Sequence, residues 1–262
     1  MPTALLLDYR DDVAVFTLNR PQRANVLDFE MSAALIAAIE TVAKNQSVRA
    51  VLLQARGRQF CGGGDITDFA GALDQLGDLL ERGIPPLHRA IHQLATLPVP
   101  VISALNGPIG GGGIGLALCA DIVIAAESMK LRGGYSAIGL TPDVGASWFL
   151  ARRIGAARTK EIFFTNEALS AQECLALGIV SRVCPDAELA QRAFALAASL
   201  ARGATGSFGR IKLLADGAAD RSLAEQLDLE HRCMVESGRS AEAVEGVTAF
   251  MQKRAPCFTK PA

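Results

Sequence analysis

Two glycine-rich stretches in this 262-residue chain have the residue types and spacing to do chemistry: "FCGGGD" at 60–65 and "NGPIGGGGIGLALCAD" at 106–121. In the second, Gly110, Gly112 and Gly115 fit G-x-G-x-x-G, the spacing of a dinucleotide-binding turn. That chemistry also asks for an acidic residue about twenty positions further on, a place Glu127 fills only loosely. A plainer reading is a turn that lets a strand and a helix pack closely. The presence of two such loops opens a third reading. Each follows an apolar run, and each can bring one backbone N–H to a shared oxygen with no Cβ in the way. Two convergent amides form an oxyanion hole, suited to reactions that pass through an enolate or a tetrahedral oxyanion.

The elements that must position these loops are legible as strand, helix and turn signals. "VAVFTL" (13–18) reads as a strand, followed by the polar turn "NRPQRAN". Asp28 is placed to cap a helix carrying Leu35, Ile39 and Val42 on one face. "AVLLQA" (50–55), "VPVISAL" (99–105) and "DIVIAA" (121–126) read as buried strands, with a helical segment ending near Leu97. Asp143, before "VGASWFLARRIG", is a favoured residue type for a helix N-cap. Further on, Ser170 with Glu173 and Ser222 with Glu225 stand in capping-box register, and Gly178 suits a helix stop. The last stretch of about 90 residues reads as almost wholly helical. The pattern predicts an α/β core with a helical appendage.

Bulk composition excludes several classes. Half the residues are apolar, a fifth are charged and the net charge is −1, which leaves no basic footprint for nucleic acid. Six cysteines form no C-x-x-C pair, and three histidines (His88, His92, His231) make a metal site hard to assemble. The segment between Arg89 and Asp121 has no formal charge, yet its prolines and glycines break any membrane-spanning helix. No basic leader precedes the first apolar run. The expectation is a cytoplasmic protein with neither membrane nor nucleic-acid partner.

The segments "NRPQRAN" (19–25), "FCGGGDI" (60–66), "NGPIGGGGIGLALCAD" (106–121), "GLTPDVGASWF" (139–149) and "EGVTAFMQKRAPCF" (245–258) occur in the order found in the crotonase (enoyl-CoA hydratase/isomerase) superfamily. The chain resembles that superfamily from about residue 5 to 260. The resemblance implies an α/β spiral of ββα units over 1–195 and a C-terminal helical trimerisation region over 196–262. It also implies an acyl-CoA thioester substrate, a homotrimer or dimer of trimers, and no cofactor beyond the coenzyme A that is part of the substrate. By motif, the oxyanion-hole amides would be those of Gly62 and Gly112. Arg23, Ala24, Gly64, Asp65 and Ile66 would lie along the coenzyme A, with Phe250 and Lys253 closing on it. The segment from Asp68 to Pro86 would shape the acyl pocket.

The chain also departs from the hydratase pattern. The two glutamates of hydratases fall at positions occupied here by Gly115 and Tyr135. Hydration needs one group to activate water and another to deliver a proton, and that pair is missing at those positions. Asp143 stands where several isomerases of the superfamily carry an acid/base carboxylate. One carboxylate suffices for a 1,3-proton transfer, because it can take an α-proton and return it at the γ-carbon. In the 4-chlorobenzoyl-CoA dehalogenases the same position is a nucleophile, with an aromatic residue at the Tyr135 position and a histidine base at that of His88. Double-bond isomerisation is therefore the expected activity. Dehalogenation or hydrolysis, a divergent hydration, and non-catalytic acyl-CoA binding are the alternatives. Cys61, beside the first glycine loop and without a base partner in its motif, reads as a small buried residue.

Overall fold

Val, Ile, Leu and Ala fill β2 (Val13–Leu18), β3 (Ala50–Ala55), β4 (Val101–Leu105) and β6 (Ile122–Ala126), and these strands run parallel in the middle of one sheet. Near-continuous apolar runs belong to strands covered on both faces. The computed structural model, which describes residues 3–259, shows both covers. β1 (Leu5–Arg10) pairs antiparallel with β2 at one edge, and β9 (Arg182–Cys184) pairs parallel with β6 at the other, giving the order β1-β2-β3-β4-β6-β9.

Alternate side chains point to opposite faces of a strand. Val13, Val15, Ala50, Leu52, Ile102 and Ile124 accordingly pack against the alanine stripe Ala193, Ala197, Ala198 and Ala201 of α7 (Leu189–Ala201). Phe16, Val51, Leu53, Val101, Leu105 and Val123 face the other way, into the larger core. There they join Leu35 and Ile39 of α1 (Phe29–Lys44), Leu87 and Leu94 of α3 (Leu76–Ala95), and Ile114 of α4 (Gly112–Leu118).

After each central strand the chain turns into a short extended piece of a second layer before entering a helix. Leu27 follows β2 and bridges to Gly64; Cys61 follows β3 and bridges to Ile109. β5 (Ile109–Gly110) follows β4, and β7 (Lys130–Arg132) follows β6; with β8 (Leu169–Ser170) they form a three-stranded sheet. Strand, short strand, helix thus repeats along the chain, which is the expected spiral of ββα units. The helices closing successive turns are α1, then α2 (Ile66–Ala70) with α3, then α4, then α5 (Ala146–Thr165), which kinks at Gly155.

α6 (Ala171–Ala176) and α9 (Leu223–Gly238) start at Ser170 and Ser222 with both bonds of a capping box formed, and Asp28 caps α1 by accepting from Met31 N–H at 2.9 Å. One expectation is corrected: within the last ~90 residues β9 is extended rather than helical, and it completes the main sheet. Position 195/196 lies within α7, which packs Leu189, Ala193, Ala197, Ala198 and Ala201 on the sheet. α8 (Thr205–Asp216), α9 and α10 (Ala241–Met251) follow it. Positions 1–2 and 260–262 of the two expected regions lie outside the described residues. No described helix is long and apolar enough to cross a membrane.

Candidate active site

The second-layer segments bring the two glycine loops into contact. Gly63 has φ +93, and a Cβ there would press on Gly110 O at 2.8 Å and Gly112 N at 3.2 Å, so only glycine allows one loop to lie on the other. The direction of the amides follows from planar peptide units, in which C=O and N–H point opposite ways. Leu27 N–H donates to Gly63 C=O at 2.7 Å, which turns Gly64 N–H to the opposite side. Ile114 N–H donates to Gly111 C=O at 3.0 Å, which does the same for Gly112 N–H. Neither Gly64 N–H nor Gly112 N–H has a protein acceptor among the described residues. Both glycines line one cavity of about 80 Å³, and Asp143 lines it too.

Gly62 does not share this arrangement. Its N–H donates to Ala24 C=O at 2.9 Å, so the amide expected to face the substrate is already spent on the turn. The free amide of the first loop is that of Gly64, two residues on, which the resemblance had set along the coenzyme A. Three consecutive glycines look equivalent in sequence; only the bonds to Ala24 and Leu27 separate their roles. Ala24 itself is left-handed (φ +51), in a turn clamped by buried Asn25, whose amide donates to Arg56 C=O at 3.0 Å and Gln59 C=O at 2.9 Å.

Asp143 is half-buried and does not cap α5. The cap position is Gly145, with no side-chain bond to the helix, so the carboxylate is left for other work. Its Oδ1 accepts from the Tyr135 hydroxyl at 2.6 Å. Burial and the neighbouring Asp143 charge both push the Tyr135 hydroxyl far above its ordinary range, so it stays protonated and donates. Oδ1 also lies 3.3 Å from where a Cβ of Gly112 would stand, which puts the carboxylate beside the second amide. A Cβ at Gly115 would collide with Val144 C=O, so the Asp143–Val144–Gly145 turn occupies the space that any side chain at 115 would need. Cys61, under the first loop, is fully buried, and burial pushes its thiol up to about 12, so it remains an uncharged packing group.

His88, expected as a base in the dehalogenase-like alternative, reaches the same turn from α3. Its Nε2 accepts from Val144 N–H at 2.9 Å, which occupies the lone pair that a base would use. Arg23 is bound by two carboxylates: Asp28 at 3.1 Å, and Asp65, which also caps α2 by accepting from Thr67 N–H at 2.8 Å. Burial works to raise the Asp65 carboxyl, but the Thr67 bonds and the Arg23 charge outweigh it and hold the group below its usual range. Ile66 is exposed at the start of α2. Phe250 and Lys253 stand exposed at the far end of α10 and line no part of the cavity within the single chain.

Part of the remaining wall comes from the segment expected to shape an acyl pocket: Asp68 and Phe69 of α2 and Leu79, Leu80 and Ile84 of α3 line the cavity, alongside residues at the start of α1 such as Phe29. The Phe69 ring lies against the first loop: its Cζ is 2.9 Å from where a Cβ of Gly64 would stand. Sequence reading gave no sign of this contact, because Phe69 looks like any apolar position of a short helix. A larger cleft of about 1420 Å³, between α3, α5 and α8, reaches Asp143 from the other side, past His88, His92 and Trp148.

Sequence and fold have close counterparts. The description of the enoyl-CoA hydratase/isomerase family matches residues 8–261, and the chain belongs to that family, within the crotonase superfamily. It is 41% identical over 251 residues to the 1,2-epoxyphenylacetyl-CoA isomerase of Escherichia coli, covering 94% of this chain and 95% of that one. It is 38% identical to a probable enoyl-CoA hydratase of Rhodobacter capsulatus, covering 95% of each. The crystal structure of an enoyl-CoA hydratase from a Polaromonas species superposes with a TM-score of 0.91 at 32% identity, covering 96% of this chain and 98% of that one. The protein is thus an acyl-CoA enzyme of the hydratase/isomerase family, and both activity names occur among its relatives.

Proposed function

We propose that the protein is an isomerase that moves a double bond in an unsaturated acyl-CoA, with Asp143 as the acid/base and the amides of Gly64 and Gly112 as the oxyanion hole. The observation that carries this reading is the collision at Gly115. The turn that presents Asp143 fills the place where a hydratase would carry its first glutamate, so this backbone accommodates one arrangement or the other. Tyr135 stands at the second glutamate's position and is spent on holding Asp143. The isomerase name of the Escherichia coli relative supports the same choice.

In the reaction, the free Oδ2 of Asp143 removes a proton from C2 of a 3-enoyl thioester. The C–H electrons form the C2–C1 double bond, and charge gathers on the thioester oxygen, where the two amides donate to it. The oxygen then returns its electron pair, the double bond settles between C2 and C3, and C4 takes the proton back from the Asp143 carboxyl. The Tyr135 bond to Oδ1 keeps the carboxylate aimed throughout. Dehalogenation and hydrolysis are less well served, because His88 is engaged as an acceptor. The exposed apolar side chains of α9 and α10 support the trimer or hexamer expected of the family.

The test is turnover of a trans-3-enoyl-CoA in heavy water, read by mass spectrometry for wild type and Asp143→Asn side by side. A conjugated 2-enoyl product with deuterium uptake is expected, falling at least ~100-fold in the variant, within the range for loss of a general acid/base. Saturable binding without turnover would overturn the isomerase assignment for this substrate class.

A further inference from the structure

Val144 is a β-branched residue held at φ +53, a left-handed conformation that costs energy for any residue with a Cβ and most for a branched one. It follows Asp143 directly, and its side chain is buried at 2% exposure. Strain of this kind persists only where the surroundings fix it. Two contacts bear on the turn: Tyr135 on the Asp143 carboxylate, and His88 Nε2 on the Val144 N–H.

We propose that His88 is a positioning residue, whose neutral Nε2 holds the strained Val144 amide and thereby aims the Asp143 carboxylate at the cavity. A ring accepting at Nε2 carries its proton on Nδ1. The residue type is explained in this way without any proton transfer by the imidazole. A side chain on α3 with an acceptor at this reach fixes the peptide between residues 143 and 144, and so the direction in which the carboxylate leaves the chain. The kinetic part of this inference rests on the isomerase reading; the structural part does not.

The test compares His88→Leu with His88→Gln, since the Gln side-chain oxygen can reach Val144 N–H and Leu offers no acceptor. His88→Leu is expected to lower kcat by ~100-fold, the scale of an ångström-sized misplacement, with KM little changed. His88→Gln is expected to recover at least ten-fold of that loss. In a Val144→Gly background, where glycine tolerates the left-handed turn, His88→Leu is expected to cost only a few-fold, a non-additivity that marks the two residues as coupled. Crystal structures of the two single variants read the geometry directly, whatever substrate proves active. The Asp143–Tyr135 bond should be lost or lengthened with Leu and kept with Gln. An unchanged Asp143–Tyr135 bond in the Leu variant would overturn the proposal. So would a Gln variant as inactive as the Leu variant, which would point to proton transfer by the imidazole.

Discussion

At the scale of single residues the site depends on a glycine that does no chemistry. Gly115 lies in α4 against the Val144 carbonyl, and its missing side chain is the room into which the Asp143 turn folds. Gly115→Glu is therefore expected to fail as a route to hydratase activity: the Cβ alone forces the turn away, costing about 3 kcal/mol or more for overpacked buried backbone. Gly115→Ala should show most of the same loss, both in urea unfolding and in kcat. Stability equal to wild type for the alanine variant would mean that the turn yields easily and that the two arrangements do not exclude each other. The same scale shows what the sequence conceals. The motif marks three glycines at 62–64, but which amide is free depends on Ala24 and Leu27, residues about forty positions upstream.

At the scale of elements, α2 and the first half of α3 supply part of the wall of the cavity that Asp143 lines. A cavity of about 80 Å³ walled by the Phe69 ring is smaller than the ~150 Å³ that accommodates a benzene ring. Phe69→Ala should enlarge it and shift kcat/KM toward bulkier acyl groups, by about ten-fold in the ratio of a phenyl-bearing to a four-carbon thioester. An unchanged ratio would place the acyl group elsewhere. The start of α2 also ties the site to pH. Asp65 is held below its usual carboxylate range, so it contributes stability that is present above about pH 4 and lost as the pH falls through its lowered value. Asp65→Asn should lower stability at neutral pH and flatten the acid limb of the unfolding curve. An acid limb unchanged in the variant would show that the Arg23 pair and the cap contribute nothing there. Pattern alone located α1, the central strands and both capping boxes, because their signals are local. It missed β8 and β9, short strands whose only reason to be extended is the partner beside them.

At the scale of the whole molecule, the C-terminal helices are the least covered part of the described chain. Leu223, Met234, Val244, Val247, Phe250 and Met251 are each more than half exposed on α9 and α10. Clusters of this kind mark interaction surfaces. The expected outcome in sedimentation equilibrium at micromolar concentration is a mass at least three times the 27.5 kDa of one chain. Met234→Glu with Phe250→Glu should shift it toward the single chain, since buried charge at an interface is costly. A wild-type monomer would sink the trimer expected from the family. It would also leave Phe250 and Lys253 without a route to any coenzyme A.

The sequence by itself determined the class of the protein. Apolar periodicity set the alternation of strands and helices, and the ordered motifs from 19 to 258 carried the family. The absence of acids at 115 and 135 pointed to a single carboxylate. These are properties of residue type and local spacing, which survive without knowledge of any distant contact. The tertiary structure decided which groups are free to act. Gly62 is spent and Gly64 is not, Asp143 leaves the helix uncapped, and His88 accepts a bond where a base would need its lone pair. The outcomes at Gly62 and His88 are competitions for one hydrogen-bonding group between a substrate and a neighbour far off in sequence, and only the folded chain brings that neighbour within 3 Å or so of it.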